Sequence, residues 1–138
     1  MAEKMKLEII TPYAKVVDAE VDEVMATGAL GEFGVLPDHA PFLTSLKIGE
    51  LCYKSNSVLS CMALNWGYFE IRENRIVILV ETAEHAHEID VERARSAQTR
   101  AEQALKTLGP EDKQFKVYEA ALERALIRMQ VAGKATRK

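Results

Sequence analysis

The stretch "WGYFEIRENRIVILVET" (66–82) decides the fold of this chain. Apolar and polar residues alternate in "FEIR" (69–72), and the continuous apolar run "IVILV" (76–80) follows "EN" (73–74). A period of two is typical of a β-strand with one buried face, and a short apolar run is typical of a buried strand. A two-residue turn at 73–74 would join the two strands as an antiparallel hairpin. On its apolar face the opposing pairs would be Ile71 with Ile76 and Phe69 with Ile78. The sequence therefore predicts a hairpin that turns one side toward a hydrophobic core.

The rest of the N-terminal part repeats this pattern. Short runs rich in β-branched residues alternate with turn residues from Met5 to about Glu84. They include "MKLEII" (5–10), "FLTSLKIGELCYK" (42–54) and "SVLSCMAL" (57–64). Regularly spaced short strands with turn signals between them indicate an antiparallel β-sandwich or β-barrel.

After "AEHAHE" (83–88) the spacing of apolar residues changes to alternating threes and fours, which indicates helices. Asp90 is a natural N-cap for the first helix, and "LGPED" (108–112) ends that helix and begins another. The apolar seams are Ala94, Ala97, Ala101, Ala104 and Leu108 in the first helix, and Phe115, Tyr118, Leu122, Ala125, Met129 and Ala132 in the second. A seam of alanines facing a bulky seam across a short turn predicts an antiparallel helical hairpin.

The predicted fold class is therefore α+β. An N-terminal antiparallel β-sandwich, residues 1–86, is followed by a C-terminal antiparallel two-helix hairpin, residues 87–138. Two helices of this size bury little apolar surface, so we expect the hairpin to need support from the β domain or from another protein.

Composition excludes several classes of protein. The 138 residues carry a formal net charge of −3, whereas a nucleic-acid-binding protein presents a basic surface. No apolar run is long enough to cross a bilayer, and the first residues lack a signal-peptide core, so we expect a cytosolic chain. In that compartment Cys52 and Cys61 are expected to be free thiols. A tight turn at 56–57 would nevertheless place them opposite each other, where a disulfide is also possible.

The stretch "GEFGVLPDHAP" (31–41) concentrates glycine and proline in a chain rich in strand formers. These residues disfavour strand pairing, so we interpret the stretch as a stiff loop that displays Glu32 and His39 on a rigid scaffold. A phosphate-binding loop is the weaker alternative, because such a loop should begin a helix and prolines follow here instead.

The sequence predicts neither a catalytic site nor a metal site. His39 has no nucleophile pattern to accompany it, and His85 and His87 are too few to hold a metal ion. We expect Trp66 and Tyr68 to lie in the core and at the rim of the sheet rather than to form a platform for stacking bases.

Two arginine pairs leave two interpretations open. Arg93 and Arg100 are two turns apart on the first helix, and Arg124 and Arg128 are one turn apart on the second. Like charges at one-turn spacing repel by about 0.2–0.5 kcal/mol in an isolated helix. Solvent can accommodate these charges, and so can a bound phosphate or the glutamates of a partner. From the residues alone, a solvated face is favoured.

The chain resembles the epsilon subunit family of rotary F-type ATP synthases over essentially its whole length. The pattern G-E-x-G-x-x-P-x-H-A-P fits residues 31–41, and "IDVERA" (89–94) fits the family motif I/L-D-x-x-R-A. The resemblance implies a non-catalytic rotor subunit that couples the gamma subunit to the c-ring. By position in the motif, the residues that would dock to the c-ring and gamma are Glu32, Gly34, Pro37 and His39.

The resemblance also implies a regulatory hairpin with two positions. The hairpin would either fold against the sandwich or extend along gamma into the alpha/beta catalytic hexamer, where it would block ATP hydrolysis. Basic residues such as Lys134, Arg137 and Lys138 would then meet acidic segments of the beta subunits. The protein would work at the cytoplasmic face of the cell inner membrane, as a peripheral subunit held there only through its partners.

No cofactor is required by this interpretation, but ATP is implied as a possible regulatory ligand. In family members that bind ATP on the folded hairpin, the contacts carry onto Glu84, Ile89, Asp90, Arg93, Ala94, Arg100, Arg124 and Arg128. Two rival functions remain: a free-standing ATP sensor, and a β-sandwich adaptor for unrelated proteins.

Overall fold

The computed structural model describes residues 3–134, in two units that divide between His85 and Ala86. The first unit contains eight strands: β1 (Met5–Ile10), β2 (Lys15–Val21), β3 (Glu23–Gly28), β4 (Gly31–Val35), β5 (Phe42–Leu46), β6 (Gly49–Ser55), β7 (Val58–Arg72) and β8 (Arg75–His85). The second contains a short 3-10 turn (Ala86–Glu88) and the helices α1 (Val91–Thr107) and α2 (Lys113–Ala132). The predicted α+β class, a β-sandwich followed by a two-helix hairpin, is confirmed. Arg137 and Lys138 lie outside the described residues.

The strands follow one another in the order β2-β1-β8-β7-β5-β3-β4, and β6 pairs with both β3 and β7. Pairing is antiparallel except between β1 and β8, where Lys6 lies opposite Arg75 and Ile10 opposite Leu79 in parallel register. β8 pairs with β7 along one of its edges. β1 pairs with the other edge of β8 and runs in the same direction as β8, so this pair is parallel.

The hairpin predicted for residues 66–82 is confirmed. Glu73 and Asn74 form its turn with φ values of 51° and 59°, the left-handed conformations of a two-residue hairpin turn. The register pairs residue 71 with 76 and residue 69 with 78, as predicted, and all four side chains are fully buried.

These four residues belong to one apolar core. Its other fully buried members come from strands on both sides of the sandwich: Met5, Leu7, Ile9, Val21, Val24, Val35, Leu51 and Met62. Strand alternation sends their neighbours in the chain to the outer faces.

One buried carboxylate connects side chains from three strands. Glu8 on β1 accepts hydrogen bonds from Lys15 on β2 at 2.7 Å and from Arg75 on β8 at 2.9 Å and 3.2 Å. These hydrogen bonds lower the pKa of Glu8 to about 2, and the bond from Lys15 has a larger effect than the bond from Arg75. The contact with Glu8 raises the pKa of Lys15. Two charge-assisted partners thus allow an acidic side chain to be buried where the sheet changes from antiparallel to parallel pairing.

The expectation of free thiols is wrong in this structure. Cys52 on β6 and Cys61 on β7 form a disulfide across the pair of strands. The predicted turn at 56–57 is present, and it places the two residues directly opposite each other with their Cα atoms 4.1 Å apart. The register therefore brings the sulfur atoms together, as the alternative based on a tight turn at 56–57 allowed, whereas the expectation of free thiols rested on the cellular compartment.

The helical unit follows the predicted pattern. The side chain of Asp90 accepts a hydrogen bond from the backbone N–H of Arg93, so Asp90 caps α1 as predicted. Asp112 caps α2 in the same way. Every position of the two predicted apolar seams is buried or partly buried, and the helices pack against each other. Neither helix has the length and apolarity that a membrane crossing requires.

Candidate functional site

The tip of the β3–β4 hairpin is the first candidate surface. Gly28 and Gly31 face each other at its end, and Gly31 has a φ of 123°, which glycine adopts without the penalty of a side chain. Leu30 in the turn is fully exposed, and the Glu32 side chain beside it is exposed on β4. The tip therefore presents an apolar and an acidic side chain together at the edge of the sheet.

The second candidate surface is the loop 36–41. The backbone N–H of Asp38 donates to Oδ1 of Asn74 at 2.6 Å, and Nδ2 of Asn74 donates to Oδ1 of Asp38 at 3.2 Å. Nδ1 of His39 lies 2.7 Å from the carbonyl oxygen of Ala40. The loop is thus attached to the β7–β8 turn through side chains, and its histidine is partly buried.

Aromatic packing fixes the base of the same loop. Phe33 contacts Phe69 and Phe42 edge to face, with ring centroids 4.9 Å and 5.5 Å apart. The ring of His39 lies 5.9 Å from that of Phe42. Edge-to-face pairs of this kind add stability beyond that of the area they bury, so the chain enters and leaves the loop from a rigid base.

The prediction of one stiff loop over 31–41 is wrong in its first half. Residues 31–35 form β4, which pairs with β3 through Glu32 and Gly34, and only residues 36–41 are loop. Because β4 is an edge strand, it needs one partner only, and glycines without packing side chains are tolerated there. Glu32 and His39 consequently lie toward opposite ends of β4. Glu32 lies four residues before the start of the loop at Leu36, a distance of about 13 Å along the strand.

The other two predicted docking residues are divided in the same way. Gly34 is exposed on β4 opposite Met25, whereas Pro37 is partly buried in the loop. The residues with the family motif therefore form two surfaces, the hairpin tip with Glu32 and the loop with Pro37 and His39. Their docking roles stay a prediction.

An exposed aromatic surface on the outside of the sheet was not predicted. Trp66 and Tyr68 are 46% and 62% exposed, so neither side chain lies in the core. Tyr68 lies opposite Leu79, which is 50% exposed, and Ile10 follows on β1. Shallow grooves run along both sides of Trp66. The signal was present in the sequence, because alternation places residues 66 and 68 on the face opposite Phe69.

The backbone at this surface is unusual. Trp66 has a φ of 38°, in the left-handed region that few residues other than glycine adopt. Gly67 follows it, and a Cβ atom there would collide with the carbonyl oxygen of Leu79. The chain therefore holds an exposed tryptophan in a strained conformation next to a glycine that cannot be replaced, a combination that is frequent at functional surfaces.

The proposed ATP residues occupy both helices and the last strand of the sheet. On α1, Arg93 and Arg100 are exposed, whereas Arg124 and Arg128 on α2 are partly buried. Ile89 and Ala94 are buried. The remaining two are Asp90, whose carboxylate caps α1, and Glu84 on β8 of the other unit.

The positions of the four arginines along the helical hairpin can be compared by counting residues from Pro110 in the turn. Arg93 is 17 residues before Pro110 and Arg128 is 18 after it, so these two lie at nearly the same level. Arg124 is 14 residues away and Arg100 only 10, which places Arg100 about 12 Å closer to the turn than Arg128. Arg93 and Arg128 are therefore closer in height along the hairpin than either is to Arg100.

Comparison with known proteins agrees with this architecture. Residues 4–86 match the family model described as "ATP synthase, Delta/Epsilon chain, beta-sandwich domain", and residues 87–133 match "ATP synthase, Delta/Epsilon chain, long alpha-helix domain". The chain is 74% identical to the ATP synthase epsilon chain of Trichlorobacter lovleyi and 70% identical to that of Geotalea daltonii. Each of these alignments covers 100% of both chains.

Two solved structures have the same fold at low sequence identity. A chain in the mitochondrial ATP synthase of Euglena gracilis (OSCP/F1/c-ring) superimposes with a TM-score of 0.78 at 19% identity, over 98% of this chain and 82% of the other. A chain in the central stalk and c-ring of the Tetrahymena thermophila mitochondrial enzyme gives 0.60 at 17% identity, over 98% of both chains.

Proposed function

The chain belongs to the epsilon-chain family of F-type ATP synthases, and from that membership we propose that it couples the gamma subunit to the c-ring in the rotor. The observation that carries the proposal is the full-length similarity to epsilon chains, which includes both units. The subunit would be non-catalytic and peripheral. It would be held at the cytoplasmic face of the cell inner membrane by its partners.

The two surfaces with the family motif would serve as docking sites. Glu32 and Leu30 at the hairpin tip offer an acidic and an apolar contact to the polar loops of a c-ring. The loop with Pro37 and His39 is held by hydrogen bonds and aromatic packing, so it would lose little conformational entropy on binding. A preorganised loop of this kind suits a permanent subunit contact.

The exposed aromatic surface is our candidate for the main contact with gamma. Tryptophan and tyrosine dominate the energetics of many protein interfaces, and an apolar surface on a soluble domain indicates a partner. Trp66, Tyr68 and Leu79 together satisfy both criteria. Gamma would cover them in the assembled enzyme.

Binding of purified gamma separates this proposal from its rivals. Trp66→Ala should weaken gamma binding by about 2 kcal/mol or more, roughly thirtyfold, if Trp66 is a central contact. Val58→Ala is the control, because Val58 is 64% exposed and lies at the start of β7, next to the β6–β7 turn. If wild-type chain does not bind gamma, a free-standing ATP sensor or an adaptor for other proteins becomes the better description.

Reconstitution with the c-ring tests the hairpin tip separately. Glu32→Gln should leave gamma binding unchanged and weaken assembly or coupling with the ring. Glu70→Gln, an exposed carboxylate on β7, is its control. If Glu32→Gln assembles and couples with the ring as well as Glu70→Gln does, Glu32 is not part of the docking site.

We propose in addition that the helical hairpin regulates catalysis. In its extended position the hairpin would enter the alpha/beta hexamer and inhibit ATP hydrolysis, and ATP bound to the folded hairpin would oppose that movement. ATP at a hundred times its dissociation constant would stabilise the folded position by about 2.7 kcal/mol, enough to shift a balanced equilibrium. Removing residues after Glu88 should abolish inhibition of hydrolysis. Unchanged hydrolysis after the truncation would contradict this role.

A further inference from the structure

The disulfide between Cys52 and Cys61 has a carboxylate beside it. Glu50 lies two residues before Cys52 on β6, so strand alternation places both side chains on the same face. The two sulfur atoms and a carboxylate oxygen of Glu50 all lie within 4.8 Å of one another. Three potential metal ligands therefore converge at one point of the sheet.

This cluster is on the outer face of the sandwich but is not open to water. Leu51 and Met62, the chain neighbours of the cysteines, belong to the core, so the cysteines point the other way. They are nevertheless only 8% and 6% exposed, and Oε2 of Glu50 is buried as well. A site out of water favours tight coordination, because the thiolates and carboxylate it holds are strongly stabilised by a cation.

We propose that, once the disulfide is reduced, Cys52, Cys61 and Glu50 bind a divalent cation of the zinc type. Two thiolates and one carboxylate are ligands that zinc accepts, and a water molecule would take the fourth position. Zinc–ligand bonds of about 2.0–2.3 Å in a tetrahedron place the ligand atoms about 3.3–3.8 Å apart. The carboxylate oxygen and the two sulfur atoms lie within 4.8 Å of one another, and after reduction the sulfur atoms would have to move apart from bonding distance to about 3.8 Å.

The disulfide and the metal site are mutually exclusive states of the same residues. A dithiol reductant would supply two electrons and two protons, would itself become a disulfide, and would leave two thiols on the chain. Zinc binding then releases those two protons, because the metal coordinates thiolates. Where thiols are kept reduced, paired cysteines in a protein more often serve a metal or a reaction than a structural disulfide.

The proposal does not depend on the rotor function, and the full-length protein is sufficient to test it. The chain is reduced with a phosphine, the reductant is removed without oxygen, and Co²⁺ or Zn²⁺ is titrated in. We expect one ion per chain, with thiolate-to-cobalt charge-transfer absorption and the visible spectrum of tetrahedral cobalt. The oxidised protein should bind no ion at this site. Failure of the reduced wild type to bind micromolar Zn²⁺ or Co²⁺ would overturn the proposal.

Substitution of each proposed ligand tests which side chains bind the metal ion. Cys52→Ser and Cys61→Ser should each lose the cobalt–thiolate absorption or reduce it by half. Glu50→Gln should lower zinc affinity by at least about tenfold, since even substitutions outside the ligand set have effects of that size. Glu70→Gln is the matched control and should bind like the wild type. If Glu50→Gln also binds like the wild type, the carboxylate is not a ligand and the three-residue site is refuted.

A measurement on the wild type keeps the test valid if a variant does not fold. Zinc should protect both reduced cysteines from alkylation by iodoacetamide, and a chelator should remove the protection. Mass spectrometry after proteolysis assigns the label to residues 52 and 61. Equal alkylation with and without zinc would exclude coordination by these thiols.

Discussion

Asn74 and Asp38, 36 positions apart in the chain, exchange two hydrogen bonds. The side-chain carbonyl of Asn74 accepts from the backbone N–H of Asp38 at 2.6 Å, and its amide donates to the carboxylate of Asp38 at 3.2 Å. The same amide donates to Glu3 at 3.0 Å. One side chain in the turn of the central hairpin therefore holds the loop that contains Pro37 and His39.

We expect Asn74→Gly to release this loop. Asn74 has a φ of 59°, which glycine adopts freely, so the substitution removes the side-chain bonds without backbone strain. The loss should lower the free energy of unfolding by about 1–2 kcal/mol in denaturant titrations. Amide hydrogen exchange in residues 36–41 should become faster.

Glu73→Gly is the matched control, because Glu73 occupies the same turn with a φ of 51°. It should affect stability less and leave exchange in the loop unchanged. If both variants accelerate exchange equally, the turn backbone holds the loop and the Asn74 side chain does not.

The Asn74–Asp38 contact could not be predicted from the sequence. The hairpin register followed from the apolar pattern of residues 69–78, and the cap at Asp90 from its position before an apolar seam, because both signals are local. The contact with Asp38 depends on how distant segments are brought together. The parallel pairing of β1 with β8 has the same origin.

Two other features of the structure depend on conditions that the local sequence pattern does not specify. Gly31 and Gly34 indicated a loop, yet an edge strand tolerates glycine because only one of its sides is paired. The bond between Cys52 and Cys61 depends on redox conditions, which the residue pattern does not specify. In contrast, the exposure of Trp66 was available from strand alternation.

The buried Glu8 should make stability depend on pH. Its pKa is about 2 in the folded protein and 4.5 without its partners, so between these values the unfolded chain binds more protons. The stabilising contribution of Glu8 should be complete above pH 4.5 and be lost as the pH falls toward 2. Glu8→Gln should remove that part of the pH dependence in unfolding experiments.

The control for this prediction is Glu20→Gln on β2, an exposed carboxylate near the same sheet edge. It should leave the slope of stability against pH between 2 and 4.5 nearly unchanged. A wild-type slope in Glu8→Gln would show that other carboxylates cause the acid sensitivity.

The β-sandwich should fold without the helices. The chain divides between His85 and Ala86, and the large core is formed by residues of the strands alone. A chain ended after Glu88 should therefore unfold cooperatively on heating and still bind gamma. A broad, non-cooperative transition would show that the two units depend on each other for folding.

The arginines of the hairpin should bind ATP only when the two helices lie side by side. Arg93 and Arg128 are at nearly the same height on different helices, so one phosphate group could contact both. Arg93→Ala or Arg128→Ala should each weaken ATP binding by about 1.5–3 kcal/mol, roughly tenfold to a hundredfold, in calorimetry. Arg95→Ala is the control, since Arg95 is exposed on α1 and pairs with Glu92.

The effects of the two arginine substitutions on ATP binding should not add. Contacts to one phosphate group are coupled, so the double variant should lose less free energy of binding than the sum of the single variants. Arg100→Ala should be less strongly coupled to either of them, because residue 100 lies about 12 Å closer to the turn than Arg128. Additive effects of residues 93 and 128 would place them on separate groups of the ligand. No heat with millimolar ATP would leave all four arginines as solvated or partner-facing charges.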